Sequence, residues 1–142
     1  MIVTIERVST FNLRNLLGYD CPEETLRAHE GCVTRSSVIW LAKADGVEAC
    51  AIGVIAPTIF ASEAYLWMIH TRLCEQHPLR FIRWSRKVLD EIHSLYPRLI
   101  GLCDVNNVAG RKWLEWLGAD FSLGISHPTL SGSLLGFRID AW

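Results

Sequence analysis

Apolar and β-branched residues stand in short runs along this chain, and these runs predict strands. Ile2–Val8 alternates well enough to predict a first strand, and two β-branched apolar runs follow at Ser36–Ala44 and Val47–Ala56. These two runs are separated by Asp45-Gly46, a dipeptide suited to a type I′ turn because both residues tolerate a positive φ. The pattern therefore predicts a hairpin.

Further strands are predicted in the second half. Glu63–Thr71 is apolar on both faces, which is typical of a central strand covered on both sides. Arg98–Asp104 is the next predicted strand, and Ala119–Leu123 with Leu134–Ile139 predicts a closing hairpin.

The longest helix is predicted from Pro78 to about Tyr96, where Pro97 ends it because its ring clashes with a continuing helix. Its apolar residues recur at spacings of three and four and predict one buried stripe. They are Phe81, Ile82, Ser85, Val88, Leu89, Ile92, Leu95 and Tyr96.

Three shorter helices complete the prediction. Ser9 or Thr10 would cap a helix that runs to about Gly18, and Pro22 would open another that stops near Gly31. Val108–Leu117 predicts the third, with Gly118 as the residue after its end. The resulting order, β-α-α-β-β-β-α-β-α-β-β, predicts one domain over residues 1–142 of the α/β (α+β) class, a mixed sheet with helices on its faces.

Composition narrows the class of protein. The 142 residues are 50% hydrophobic and carry a net charge of -1, which argues against nucleic-acid binding because phosphate contacts need a basic surplus. The longest apolar stretch, Ala49–Pro57, is far short of the roughly 20 residues of a membrane helix. The start of the chain lacks the pattern of a signal peptide, and the five cysteines form an odd set without a Cys-x-x-Cys pair, so we expect a cytoplasmic protein with free thiols.

The segment from Asn107 to Ala119, NVAGRKWLEWLGA, resembles the fourth-helix signature of the GCN5-related N-acetyltransferase (GNAT) superfamily. In that family an Asn follows the fifth strand, a small residue stands three positions on, and a Leu-Gly-Phe step closes the helix. Asn107, Gly110, Leu117 and Gly118 match, whereas Ala119 stands where Phe is usual. The predicted order of elements is also the GNAT order, with a mostly antiparallel sheet and helices on both faces.

A narrower resemblance is to the small GNAT-like proteins of bacteriophages, including the internal virion protein A group. It rests on the short stretches YLWMIHT (65–71), PLRFIR (78–83), Tyr96-Pro97 and WLEWLG (113–118). If the chain is phage-encoded, we expect it in the host cytoplasm. Its partner there would be a second copy of itself, in a homodimer, or a virion protein.

The GNAT resemblance implies acetyl-CoA as cosubstrate and an amine as acceptor. The end of Met68–Thr71 would offer a backbone N–H to the thioester carbonyl, the pantetheine arm would lie between this strand and Arg98–Asp104, and Asn107 would contact the arm. The pyrophosphate would rest at the start of the helix that opens at Pro78, where unpaired N–H groups favour anions. The implied cofactor-binding residues are Ile69, Thr71, His77, Leu79, Arg80, Arg83, Asn107 and Arg111.

Two departures from the family bear on activity. The family's phosphate loop, Arg/Gln-x-x-Gly-x-Gly/Ala, corresponds here to Arg72–Leu79, which has no glycine. Many GNAT enzymes place a Tyr seven residues after the Asn to protonate the thiolate, and that position is Leu114. The cations at the start of the long helix, among them Arg80 and Arg83, either face an anion or form a solvated face paired with acidic residues one turn on.

The candidate catalytic residues are His70 and Glu75, with His77 and Glu48 as further candidate bases. No His-x-x-x-His or Cys-x-x-Cys pair predicts a metal site. Two functions remain open: an acyl-CoA-dependent N-acetyltransferase, or a catalytically impaired GNAT-like phage protein that serves in virion assembly or protein interaction.

Overall fold

The computed structural model describes residues 1–58, 61–122, 126–129 and 132–141. Within them the chain forms seven strands and five helices. In chain order these are β1 (Val3–Val8), α1 (Arg14–Leu17), α2 (Glu23–Arg35), β2 (Val38–Ala44), β3 (Val47–Ile55), β4 (Glu63–His70), α3 (Arg72–Gln76), α4 (Pro78–Leu95), β5 (Arg98–Asp104), α5 (Val108–Trp116), β6 (Ser126–Thr129) and β7 (Gly132–Asp140). None of the described helices is long and apolar enough to cross a membrane.

Several local predictions are confirmed. Asp45 and Gly46 have φ values of 49° and 81°, as the type I′ turn of the β2–β3 hairpin requires. The β5 strand has its predicted bounds, and Gly118, with a φ of 93°, follows the end of α5 in the left-handed conformation that glycine adopts without strain. These features depend on residues adjacent in sequence, which explains why a local pattern predicts them.

The first helix ends near Gly18 as predicted, but its predicted start and the predicted end of the second helix are wrong. The first helix is confined to Arg14–Leu17, and the second continues through Gly31 to Arg35. Its continuation buries Val33, which is 8% exposed, and a glycine inside a helix lowers stability without stopping the helix when the next turn packs on a core.

The predicted strand Ala119–Leu123 is also wrong in its described part: it holds only an isolated bridge between Asp120 and Arg138, and Leu123 lies outside the described residues. The Asp120 carboxylate accepts hydrogen bonds from the Ser122 N–H (2.8 Å) and hydroxyl (2.6 Å), and such a local turn competes with a strand. The strand that pairs with β7 is instead β6.

Asp120 supports one prediction about pH. The hydrogen bonds from Ser122 lower the pKa of this exposed carboxyl, so its contribution to stability is present at neutral pH and is lost as pH falls through the lowered pKa. We expect Asp120→Ala to lower Tm at neutral pH, and the difference from wild type to shrink progressively in acid. A difference that stays constant with pH would contradict this assignment.

The chain divides into two compact units, Met1–Ala56 with Leu66–Arg80, and Pro57–Tyr65 with Phe81–Trp142. In the first unit the strand order is β1-β2-β3-β4. The β1–β2 and β2–β3 pairs are antiparallel, with an irregularity at Ala42/Lys43, and α1, α2 and α3 each contact β3. β3 is buried over most of its length because both of its faces are covered.

Gly53 of β3 is a point of close approach in the first unit. A Cβ there would lie 2.2 Å from two ring carbons of Trp67, so the indole is packed directly on the β3 backbone. The indole Nε1 donates to the Ser36 hydroxyl at 2.7 Å, and this hydroxyl donates to the Cys32 carbonyl at 2.7 Å. These bonds join β4 to the end of α2.

In the second unit the strand order is β4-β5-β7-β6. β4 pairs with β5 in parallel over three residue pairs, Glu63–Arg98 to Tyr65–Ile100, whereas β5–β7 and β6–β7 are antiparallel. The predicted stripe of α4 is confirmed at its centre, although Leu95 is 53% exposed. Its buried members are Phe81, Ser85, Val88, Leu89 and Ile92.

Candidate functional site

The end of β4 is fixed to β3 through a single carbonyl. The Ala49 oxygen accepts from the Thr71 N–H at 3.1 Å, the Thr71 hydroxyl at 2.8 Å and the Cys74 thiol at 3.3 Å. The Cys74 N–H returns to the Thr71 carbonyl at 3.1 Å and starts α3. The turn from β4 into α3 is therefore held by backbone and side-chain bonds together.

This arrangement changes how Thr71 could contact a cosubstrate. Its N–H, one of those predicted to face the thioester, already donates to Ala49. Because N–H groups point alternately to the two edges of a strand, the N–H of His70 is directed to the edge opposite β3. The N–H groups of His70 and Thr71 therefore point to opposite edges of the strand.

Cys50 and Cys74 form a buried pair behind this turn, being 5% and 2% exposed. The hydrogen bond that Cys50 donates to Cys74, together with burial, raises the pKa of Cys50 well above its ordinary value. The same bond lowers the pKa of Cys74. The pair packs α3 against β3.

The two predicted catalytic residues, His70 and Glu75, lie in contact. The His70 Nε2 is 3.4 Å from the Glu75 Oε1, with the imidazole 14% and the carboxylate 49% exposed. The α3 helix causes this contact, since its first turn carries Glu75 back over the end of β4. In a neutral imidazole whose Nε2 donates to a carboxylate, Nδ1 is the basic nitrogen.

The glycine-free stretch after β4 was expected to be the phosphate loop, and it forms α3 instead. Its last residues and the start of α4 are exposed, including His77, Leu79 and Arg80. The Arg80 guanidinium donates to the Met1 carbonyl, and Arg83 lies exposed farther along α4. By contrast, Ile69 is 6% exposed, which leaves mainly its backbone for a ligand.

Asn107 caps α5. Its Oδ1 accepts from the Gly110 N–H at 3.0 Å, and a Cβ on residue 110 would lie 2.4 Å from the Asn107 Nδ2. The small residue three positions after the Asn is therefore required by the cap itself. The contact of Asn107 with a pantetheine arm stays a prediction.

Substitutions at Asn107 separate the cap from a ligand contact. We expect Asn107→Ala to lower the free energy of unfolding by about 1 kcal/mol, a typical cost of losing a cap, and Asn107→Asp to keep most of it because the carboxylate still accepts from Gly110. Chemical denaturation measures both. If Asn107→Asp is as unstable as Asn107→Ala, the cap assignment is wrong, and if it is stable but loses acetyl-CoA affinity, the Nδ2 group contacts the ligand.

Two further positions of α5 bear on the site. Arg111 bonds Glu115 at 3.3 Å and lies over the Phe121 ring at 5.4 Å, so local partners account for its orientation. Leu114, at the position of the family's proton donor, is 6% exposed and part of the core. In the described part of the chain, no three His, Cys, Asp or Glu side chains come together to hold a metal ion.

The sequence does not predict that the Ala49 carbonyl accepts three hydrogen bonds, and it does not predict the Cys50–Cys74 pair. Nothing in the local pattern around Ala49 indicates an acceptor, because its partners lie more than 20 residues away. The side chain of His127, in the closing hairpin, lies outside what the structure describes.

No protein-family model and no curated protein sequence matches the chain. Solved structures do match. The acetyltransferase of the GNAT family from Streptococcus pneumoniae has a TM-score of 0.70 at 10% identity, with 98% of this chain and 99% of that chain covered. The Bacillus subtilis acetyltransferase in complex with CoA has a TM-score of 0.70 at 11% identity, with 99% and 100% covered.

A third match is the ribosomal-protein-S18-alanine N-acetyltransferase from Escherichia coli, with a TM-score of 0.64 at 15% identity and 98% and 94% of the two chains covered. Identities this low carry no information on substrate, but the coverage is nearly complete in both directions. The chain has the fold of the GNAT acetyltransferases.

Proposed function

We propose that this protein is an N-acetyltransferase that moves the acetyl group of acetyl-CoA to an amine. The observation that carries the proposal is the His70–Glu75 contact at the end of β4, in a chain with the GNAT fold. An imidazole held by a carboxylate is a common arrangement for a general base. One solved structure of the same fold contains CoA, which supports acetyl-CoA as cosubstrate.

The reaction needs an amine, a thioester and a place for the developing negative charge. The amine nitrogen attacks the thioester carbonyl and gives a proton to the His70 imidazole. The C–N bond forms, the C–S bond breaks, and the thiolate takes a proton to become CoA thiol. A backbone N–H at the end of β4 would stabilise the oxyanion, for which we favour His70 because Thr71 is bonded to Ala49. Water would protonate the thiolate, since Leu114 has no proton to give.

The start of α4 fits the phosphates of the cosubstrate. Its first turn carries no acidic residue, and Arg80 and Arg83 are exposed. A helix start with cations and without carboxylates attracts an anion through its dipole and its unpaired N–H groups. Because this stretch lacks glycine, its backbone cannot approach the phosphates as closely as the family's glycine-rich loop does. Side chains such as Arg80 and Arg83 would supply part of the phosphate contacts instead.

Thermal unfolding with acetyl-CoA tests the proposal. A ligand that binds the native state at about 100 times its Kd stabilises it by about 2.7 kcal/mol, so millimolar acetyl-CoA should raise Tm by several degrees. Arg83→Ala should reduce the shift, whereas Arg27→Ala, an exposed arginine on α2, should not. The absence of any shift for wild type would refute the function.

One observation favours a non-catalytic role in protein interaction. Trp116 of α5 is 62% exposed, and exposed aromatic residues are enriched at protein interfaces. In this second candidate function the protein would be an assembly or interaction module, with a virion protein or a second copy as partner in the host cytoplasm. It predicts no binding of acetyl-CoA, so the same thermal experiment separates the two functions.

A further inference from the structure

A cleft lies between the segment that follows β1 and the side of α2 that faces it. Its volume is about 300 Å³, a size typical of small-molecule sites. The floor consists of one aromatic and three aliphatic side chains, which are Phe11, Leu13, Leu26 and Val33. The three aliphatic residues are 6%, 8% and 8% exposed. We call this site the α2 cleft.

The cleft owes its shape to the late start of the first helix. Because α1 begins only at Arg14, residues 10–12 run beside α2 without a helical turn of their own. On α2 the lining residues Leu26, Glu30 and Val33 follow one another at spacings of four and three, which places them on one side of the helix. The two segments therefore meet at an open groove.

The α2 cleft is remote from the end of β4, where the proposed function locates acetyl transfer. The strand that leads into the cleft, β1, ends at Val8, which pairs with Ile39, and Ile39 pairs in turn with Gly53 of β3. The end of β4 lies instead beside Ala49, whose carbonyl accepts from the Thr71 N–H. The four residue steps from 49 to 53 span about 13 Å along β3. The two sites therefore lie toward opposite ends of β3.

The charged groups on the rim of the cleft differ in their partners. The Arg14 guanidinium lies 3.2 Å from the Glu23 carboxylate and donates to the Tyr19 carbonyl at 3.0 Å. By contrast, the exposed Glu30 carboxylate has no hydrogen bond or ion pair among the described residues, and neither has the hydroxyl of Thr34, one turn farther on. The rim thus presents an unpaired negative charge above an apolar floor.

We propose that the α2 cleft binds a small protonated amine with an aromatic body, and that Glu30 binds its ammonium group. The ammonium supplies the positive charge and the hydrogen-bond donors that pair with the carboxylate, and it has a further donor for the Thr34 hydroxyl. The aromatic body packs on Phe11 and the aliphatic floor, since aromatic pairs contribute more than the area they bury. An anion of the same shape is repelled by Glu30. This site is independent of the proposed acetyl transfer.

An NMR titration of the isotope-labelled full chain tests the site with three probes of similar shape and different charge. They are phenethylamine, a cation at neutral pH, phenethyl alcohol, its neutral counterpart, and phenylacetate, an anion. The backbone amide shifts report both the Kd of each probe and the place where it binds.

Two variants and a control assign the charge to Glu30. Glu30→Gln removes the charge and keeps the size, whereas Glu24→Gln changes an exposed carboxylate of the same helix that does not line the cleft. Thr34→Lys introduces a competing ammonium one turn from Glu30, where an i,i+4 pair forms on a helix. Because this pair supports the helix, Thr34→Lys should keep the denaturation midpoint of wild type, so that its loss of binding cannot reflect unfolding.

We expect wild type to bind phenethylamine with a Kd of about 1 mM or lower, with the largest shifts at the amides of Leu13, Leu26 and Val33. Glu30→Gln should weaken binding about fivefold, the scale of one solvent-exposed ion pair, and Thr34→Lys at least as much. Glu24→Gln should change the Kd less than twofold. Phenethyl alcohol should bind wild type about fivefold more weakly than the amine, and phenylacetate more weakly still.

Three results would overturn the assignment. The first is equal binding of the amine and the alcohol, or of the amine by wild type and Glu30→Gln. The second is a titration in which phenethylamine shows no saturation. The third is a set of shifts confined to the amides around His70 and Glu75, which would place the amine at the end of β4 and leave the α2 cleft empty.

Discussion

Gly53→Ala is expected to lower the free energy of unfolding by about 3 kcal/mol, at the upper end of the usual cost of overpacking. The new Cβ would lie 2.2 Å from two ring carbons of Trp67, a distance at which one group must move. The indole cannot move easily, because its Nε1 is bonded to Ser36 at 2.7 Å. Chemical denaturation measures the change.

Gly31→Ala is the matched control. The same methyl group on α2 would meet only the flexible end of Arg35, at 3.8 Å, so the exchange should raise the free energy of unfolding by about 0.5 kcal/mol through helix propensity. In a double-mutant cycle, Trp67→Leu should relieve much of the cost of Gly53→Ala, because it removes the ring that the Cβ meets. Equal effects of the two glycine substitutions would mean that Trp67 does not pack on the β3 backbone.

His70→Asn is expected to lower kcat/KM for acetyl transfer by about 100-fold to 10,000-fold, the range associated with loss of a general base. The asparagine keeps a polar side chain of similar reach but cannot take a proton. Glu75→Gln should cost less, since Glu75 orients the imidazole from 3.4 Å and leaves the base in place. The double variant should be little worse than His70→Asn alone, because residues that act as a unit are not additive.

His29→Asn controls for the loss of an imidazole as such. His29 lies on α2 with its Nδ1 2.8 Å from the Thr25 carbonyl, and it belongs to no candidate site. It should leave activity unchanged, and all variants should keep the Tm of wild type within a few degrees. If His70→Asn and His29→Asn transfer acetyl groups equally well, His70 is not the base.

The family resemblance predicts more of the fold than any local pattern of apolar and polar residues does. The run NVAGRKWLEWLGA indicated a GNAT fold, and the solved structures confirm that fold over nearly the whole chain. The structure also shows why part of this run is constrained: Asn107 caps α5, and Gly110 leaves room for the cap. The match is therefore evidence for helix geometry first and for cosubstrate binding second.

The sequence predicts His70 and Glu75 as two separate candidate catalytic residues, but it does not predict their contact. Their side-chain chemistry and their place at the end of a predicted strand indicate each residue separately. The contact depends on α3, which a pattern without apolar periodicity did not predict. Five residues can form a helix here because the Cys74 thiol and N–H are bonded to Ala49 and Thr71, and such bonds are set by tertiary packing.

The sequence by itself determined the elements whose cause is local. The Asp45-Gly46 turn, the stripe of α4, the bounds of β5 and the glycine after α5 follow from residues within one or two turns of one another. Only the tertiary structure decided which polar groups form hydrogen bonds within the protein and which do not. It showed that the Thr71 N–H donates to the Ala49 carbonyl and that, among the described residues, the Glu48 Oε2 has no hydrogen-bond partner. Partners in such bonds are distant in sequence, and a hydrogen bond between distant residues leaves no period along the chain from which it could be predicted.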